Sequence, residues 1–315
     1  MEVDGECSEY FMVQHGTVQG SVLGPVLFNL FIRPLLASAN SPAYADDSYY
    51  CGISKVKLQA QEMLEERIRA ALEWITKSGL KVNLEKTEVC IFHRMDTSKA
   101  TFTVGNVRVD SSHRINCLGV ILDNQLSWDL QIEKVITDSR RSLQAVRMVR
   151  RYFSKEETAK LVTSLVYSRL YYASEAWLLP TLKEKLFKKL NSQSGKILKI
   201  VDKELSYTQL HKKYNRATPR IFALYQTCIN YYNIMRSWGF MREEKAKAQL
   251  NTMQSTRSNF LIFIRQNNYK CGLNNISNRL RSVTNVIKKD WMLVDKNAFK
   301  TLCKKHVIQE HLMLS

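Results

Sequence analysis

The sequence predicts an α+β chain, with a mixed part of short strands and two helices followed by an all-helical part. Three observations carry this reading. Up to Trp128, short apolar strands and turn dipeptides alternate with helical stretches, and beyond it helical periodicity dominates. The apolar fraction is 45% of 315 residues, with 11 Gly and 5 Pro, which excludes a disordered or collagen-like chain. The charge is also unevenly divided. The chain carries 47 Lys plus Arg against 29 Asp plus Glu, a net +18. Residues 1–150 hold 17 basic and 18 acidic side chains, whereas residues 151–315 hold 30 and 11, so a surplus of +19 lies in the second part. Such a surplus points to phosphate or an acidic surface as partner and says nothing about fold.

Each element has a local reason. Asp4-Gly5 is a two-residue hairpin signal within residues 1–14. A helix is expected from Ser21, as N-cap, to about Ala37, with Pro25 in its first turns. Residues 41–53 read as a short hairpin centred on Asp46-Asp47. Residues 56–78 place Leu58, Met63, Ile68, Leu72 and Ile75 on one side of a helix that Gly79 stops. Val89–Phe92 is a strand, Gly105-Asn106 turns Thr101–Val104 into Val107–Asp110, and Ile115–Leu122 reads as one apolar strand. Helices are expected over 130–152, 155–172, 181–201 and 218–237. Ser154 to Glu157 forms a capping box for the second, and Thr181 caps the third. The tail beyond 249 is rich in Asn, Ser and Gln, with a strand-like run at Phe260–Ile264 and a last helix over 293–312.

The seven cysteines are widely spaced and odd in number, which suits reduced thiols and an intracellular protein of the nucleus or cytoplasm. The acidic N-terminus, Met-Glu-Val-Asp-Gly-Glu, lacks the pattern of a secretory signal. Gly20–Ala39 is apolar and long enough to span a bilayer, but Asn29, Arg33, Pro25 and Pro34 fit a buried helix better, so no membrane is expected. Cys303, His306 and His311, with Cys271 far upstream, are spaced more widely than structural zinc ligands usually are.

The sharpest chemical feature is Tyr44-Ala45-Asp46-Asp47. Adjacent carboxylates in an apolar setting need a compensating positive charge. On a tight turn both can approach one hard cation such as Mg²⁺, which suits two-metal phosphoryl transfer; a solvated turn is the plain alternative. Around it stand Gln19-Gly20-Ser21-Val22-Leu23-Gly24-Pro25 upstream, then Asn83-Leu84-Glu85-Lys86-Thr87-Glu88 and Leu118-Gly119-Val120 downstream. Basic side chains decorate two helices: Arg140, Arg141, Arg147, Arg150 and Arg151 on one, Lys183, Lys185, Lys188, Lys189, Lys196 and Lys199 on another. Cations in such stripes grip a phosphate backbone without reading sequence.

This ordered set of motifs resembles the reverse transcriptases of non-LTR, LINE-type retrotransposons, especially jockey- and CR1-like elements. The resemblance covers residues 1 to about 180 and fades towards the end, where Asn278-Arg279-Leu280 and Phe299-Lys300 stand without the family's Trp and Pro. It implies RNA-directed DNA polymerisation by two-metal nucleotidyl transfer with Mg²⁺, on an RNA template and DNA primer or RNA–DNA hybrid, with deoxynucleoside triphosphates. It implies a partial palm over 1–128, a helical thumb over 129–237 and a basic C-terminal region over 238–315. Asp46 and Asp47 would hold metal, Asp46 the stronger ligand, and Lys86 would lie near the triphosphate. Gln19, Gly20, Ser21, Tyr44 and Ala45 would face template and nucleotide. Leu118 and Gly119 would form the primer-grip hairpin, and Arg140, Arg141, Arg147, Lys185, Lys188 and Lys189 would hold nucleic acid.

Two departures matter. Val18 stands where the family has Pro, removing a rigid φ but no catalytic group. The family's third metal-binding carboxylate lies on a strand well upstream of the Gln-Gly-Ser run, and Asp4, at a hairpin turn, is not it. The chain is therefore expected to be a fragment without fingers or first palm strand, inactive by itself. The alternative function is a catalytically inactive RNA- or hybrid-binding remnant.

Overall fold

The computed structural model describes residues 2–3, 6–7, 16, 20–39, 41–92, 100–237 and 295–309. They form a mixed α+β structure in two compact units, residues 1–89 with 100–111 and residues 90–99 with 112–315. No described helix is long and apolar enough to cross a membrane. Phe260–Ile264, Cys271 and His311 lie outside the described residues.

The first unit opens with β1 (Glu2–Val3) and β2 (Glu6–Cys7), paired antiparallel with Val3 opposite Glu6. Helix α1 (Gly24–Ala39) packs on α2 (Lys57–Lys77) through Ile32, Leu35 and Ala71, with Phe28, Leu36, Tyr50, Trp74 and Ile75 around them. The expectation of a buried α1 needs correction. Only one face is covered, and Val22, Leu23, Val26, Leu27, Leu30 and Phe31 are exposed. Gly79, at φ +76°, ends α2 as expected. The N–H of Leu80 donates to Ile75 O (3.2 Å) and that of Gly79 to Thr76 O (3.3 Å), the two bonds of a Schellman cap.

Between the helices lies the hairpin β3 (Ala43–Tyr44) and β4 (Asp47–Ser48). Strand β5 (Val89–Cys90) precedes the hairpin β6 (Thr101–Val104) and β7 (Val107–Ser112), where Val104 pairs with Val107 across Gly105-Asn106. Strand β6 alternates exposed Thr101 and Thr103 with buried Phe102 and Val104, the period of a half-buried strand. Helix α2 feeds polar side chains to it. Gln61 Nε2 donates to Thr101 O (3.1 Å), and Glu65 accepts from Thr103 N (3.3 Å). These bonds serve backbone groups that would otherwise lack partners.

The second unit begins with β8 (Arg114–Cys117) and β9 (Val120–Asp123), paired antiparallel. The single strand expected over 115–122 is thus two strands. Leu118 (φ 47°) and Gly119 (φ 76°) both take the left-handed region and make a two-residue turn between them. The helices follow: α3 (Asp129–Val149), α4 (Lys155–Leu161), α5 (Ser168–Leu170), α6 (Ser174–Trp177), α7 (Glu184–Val201), α8 (Tyr207–Lys213), α9 (Pro219–Ser237) and α10 (Lys296–Cys303). Several expected helices are broken. A 3-10 turn (150–152) ends α3, and π turns follow α4 (162–167) and α10 (304–309). Thr181 is not the cap of α7, because buried Leu178, Leu179 and Leu182 hold a turn there and the helix starts after Lys183. Ser154 and Glu157 do form the expected capping box, and Ser206 with Gln209 forms a second one for α8.

One core unites β9 and the helices α3 to α8. It includes Val120, Leu126, Trp128, Ile132, Val166, Leu170, Trp177, Leu186, Phe187, Leu190 and Ile197. Because Val120, Leu126 and Trp128 are buried in it, the compact units divide after Ser111, earlier than the division expected after Trp128. Helix α10 packs on α9 through Phe299, Cys303, Cys228 and Tyr232, where the rings of Tyr232 and Phe299 stack with centroids 4.3 Å apart.

Candidate active site

In the first unit, Tyr44 pairs with Asp47 and the chain reverses through Ala45 and Asp46. Ala45 takes φ 51°, a left-handed conformation that costs an L-residue about 1–2 kcal/mol. Backbone bonds hold the turn's base, with Tyr49 N donating to Pro42 O at 3.0 Å. Tyr44, Ala45, Asp46 and Asp47 are all exposed. Among the described residues neither carboxylate of Asp46 or Asp47 receives a hydrogen bond or an ion pair, so the charge of both is available to a ligand. Their donor chemistry fits a hard divalent cation, which uses one or two carboxylates and completes its shell with water or phosphate. Among the described residues no group of three or more His, Cys, Asp or Glu comes together as a metal site.

The other motif residues of this unit are placed as follows. Gln19 lies outside the described residues. Gly20 is exposed at φ +86° with open space around its Cα. Ser21 Oγ accepts from the N–H of Gly24 (3.0 Å), the first residue of α1, so the helix begins three residues later than the expected cap at Ser21. Lys86 ends a 3-10 turn (Leu84–Lys86) whose N–H bonds Asn83 O (3.3 Å); its side chain is exposed and makes no ion pair among the described residues.

In the second unit, the Leu118-Gly119 turn is gripped from three sides. Tyr172 donates its hydroxyl to Leu118 O (3.0 Å), Lys134 Nζ bonds Gly119 O, and Gln131 Oε1 accepts from Ile121 N (2.8 Å). A Cβ on Gly119 would come within 3.3 Å of the Tyr172 ring. These three holders were not legible as such. Gln131 and Lys134 carry the only signal, an i, i+3 pair facing back from the first turns of α3. Asp123 sets where α3 begins. It is 8% exposed, and its carboxylate accepts from the N–H groups of Gln125 (3.1 Å), Ser127 (3.0 Å) and Trp128 (3.2 Å). The Cys90 thiol, beside Asp123, is pushed up to about 11 by burial and by that carboxylate, so it stays protonated near neutral pH.

The basic helices divide into neutralised and unpaired cations. Lys185 pairs with Asp129 (2.9 Å), Lys183 with the same carboxylate (3.6 Å), and Lys189 with Glu133 (2.9 Å). Arg141 pairs with Asp138 (3.5 Å). Lys188, Lys196, Lys199, Arg140 and Arg147 are exposed and make no ion pair among the described residues.

Comparison with known proteins bears on the same segment. The reverse transcriptase (RNA-dependent DNA polymerase) family model matches residues 1–122. The chain is 26% identical over 187 residues to an RNA-directed DNA polymerase from mobile element jockey of Drosophila funebris, covering 55% of this chain and 20% of that protein. It is 27% identical over 182 residues to a retrovirus-related Pol polyprotein from type-1 retrotransposable element R1 of Nasonia vitripennis, covering 51% and 52%. A probable RNA-directed DNA polymerase from transposon BS of Drosophila melanogaster is 26% identical over 162 residues. The chain thus spans about a fifth to half of the length of the first two relatives. No solved structure matches it. Residues 1–122 thus match the reverse transcriptase family, and the chain is similar to the RNA-directed DNA polymerases of non-LTR retrotransposons.

Proposed function

We propose that the chain forms the metal-holding and duplex-gripping part of an RNA-directed DNA polymerase. The observation that carries this reading is the exposed, unpartnered carboxylate pair Asp46-Asp47 on a hairpin turn inside the reverse transcriptase segment. Asp46 and Asp47 hold Mg²⁺, which when bound neutralises the charge that develops as a nucleotide joins a primer. Lys86, exposed and without an ion pair, lies near the triphosphate and can stabilise or protonate the departing pyrophosphate. Gln19, Gly20 and Ser21 lie along template and nucleotide, where a glycine lets backbone approach closely. Leu118 and Gly119, fixed by Tyr172, Lys134 and Gln131, present a rigid turn to the primer. Arg140, Arg147 and Lys188 supply unpaired charge to the template–primer backbone, while Arg141, Lys185 and Lys189 share theirs with acidic neighbours.

Primer extension on an RNA template with Mg²⁺ and deoxynucleoside triphosphates tests this. Extension that Asp46→Ala abolishes while hybrid binding survives supports this reading and overturns the expectation that the chain is inactive by itself. A second reading, a protein that grips RNA or hybrid duplex without chemistry, is favoured by one observation: no third carboxylate joins Asp46 and Asp47 among the described residues. Under it, hybrid binding persists with no extension by the parent chain. Extension that is undiminished in Asp46→Ala would contradict both.

A further inference from the structure

The junction between α3 and α4 carries a feature that a duplex grip does not use. Over residues 139–155 the sequence holds Arg140, Arg141, Arg147, Arg150, Arg151 and Lys155 and no acidic side chain. Arg140, Gln144 and Arg147 recur at i, i+4 and i+7 on one exposed side of α3, which spaces the two cations by about 10 Å along the helix. That stripe runs into the 3-10 turn, where large apolar side chains stand in solvent. Met148 is 67%, Tyr152 70% and Phe153 42% exposed. Arg151 lies over the Tyr152 ring, 4.8 Å from its centroid, and donates to the Tyr152 hydroxyl (2.7 Å).

The platform is rigid for reasons independent of any ligand. Arg150 reaches back to Ile200 O (3.1 Å) on α7 and anchors the turn. Phe153 N donates to Arg150 O (3.2 Å), and the Ser154–Glu157 capping box starts α4 immediately afterwards. Met148, Tyr152 and Phe153 thus stand exposed close together in sequence, and clustered exposed apolar side chains mark interaction surfaces. The partner's chemistry is set by the flanking charge. Rings beside unpaired guanidinium groups suit bases that are free to stack, with phosphates alongside. Bases inside a duplex already stack on one another and offer no face to such rings.

We infer that Tyr152 and Phe153, with Arg151 beside them and Arg147 shared with the duplex contacts, form a stacking site for unpaired nucleotides. The inference rests on the nucleic-acid reading of the helical unit and adds to it a single-stranded ligand. Its test is fluorescence anisotropy of the full chain with short oligo(rU), oligo(dT) and a blunt RNA–DNA hybrid. The Tyr152→Ala, Phe153→Ala double variant is expected to bind the single strands about tenfold or more weakly, to keep the hybrid within about twofold, and to leave the salt slope unchanged. Tyr152→Trp should keep single-strand binding. Arg147→Gln should weaken both ligands and lower the salt slope by about 0.7–0.9. Both aromatic positions are exposed, and an unchanged Tm confirms that folding is intact. Single-strand binding unaffected by the double variant, or loss of both ligands in parallel, overturns the inference. So does a loss confined to binding of phosphatidylserine vesicles, which would assign the rings to a membrane. If the parent chain binds neither single strand nor hybrid, the nucleic-acid reading itself fails, and a chain that binds hybrid alone overturns only the stacking site.

Discussion

Single residues decide where charge is held and where it is offered. Asp202 is the clearest held case, 3% exposed and paired with Lys213 (2.9 Å) and Lys155 (3.1 Å). Those hydrogen bonds, from Lys213 and then Lys155, hold its carboxyl at about 2, below an ordinary aspartate. A depressed folded pKa adds stability that is full above the unfolded value of about 4 and is lost as pH falls toward about 2. Urea unfolding of parent and Asp202→Asn should therefore show a difference in midpoint near neutral pH that shrinks between about pH 4 and pH 2. Asp46 and Asp47 are the opposite case, exposed and unpartnered among the described residues. Gly119 illustrates a residue fixed by backbone and neighbour together, since it combines φ +76° with the Tyr172 ring 3.3 Å from any added Cβ. Gly119→Ala should cost about 1–2 kcal/mol in thermal unfolding, the strain of a left-handed alanine. If Tm is unchanged, the turn is not as tightly gripped as described.

At the scale of elements, α1 shows how differently two faces of one helix count. Leu35 is 2% exposed against α2, and Leu30 is 60% exposed. Leu35→Ala should destabilise by about 2–5 kcal/mol, and Leu30→Ala by no more than about 0.5 kcal/mol; denaturant titration distinguishes them. From sequence both leucines looked equally buried, because an apolar run reports what a helix can cover and not what is there to cover it. The hairpins tell a similar story. The turn at Gly105-Asn106 was readable because glycine accepts positive φ cheaply, and Gly105 takes φ +60°. The turn at Leu118 was not readable from residue type, because leucine is a poor left-handed residue and only outside contacts from Tyr172 and Lys134 hold it there. Only the family resemblance pointed to a hairpin at that position. Helix ends followed local chemistry where a cap existed, at Ser154 and Gly79, and failed where packing overruled it, at Thr181.

For the whole molecule, the basic surplus counted over residues 151–315 falls within the second compact unit. Counting cations overstated the available charge, because several lysines of α7 face acids of α3, one turn of which was already visible as Asp129 and Glu133. Hybrid binding should reflect this: Lys188→Gln and Lys196→Gln should each lower the slope of log K against log salt by about 0.9, and Lys185→Gln and Lys189→Gln by clearly less. Equal effects at all four positions would mean that the ion pairs seen here open on binding. The candidate metal site was legible as a motif, through Tyr44-Ala45-Asp46-Asp47 together with the runs that flank it; its lack of internal partners was not, because that depends on what the fold brings near. Metal binding at Asp46 and Asp47 is tested by a Mn²⁺ titration of the chain followed by electron paramagnetic resonance, with Mn²⁺ standing for Mg²⁺. Bound Mn²⁺ that disappears in both Asp46→Asn and Asp47→Asn, with Tm unchanged, is the result predicted. Equal Mn²⁺ binding by the parent and both variants would contradict the assignment of this turn as the metal site.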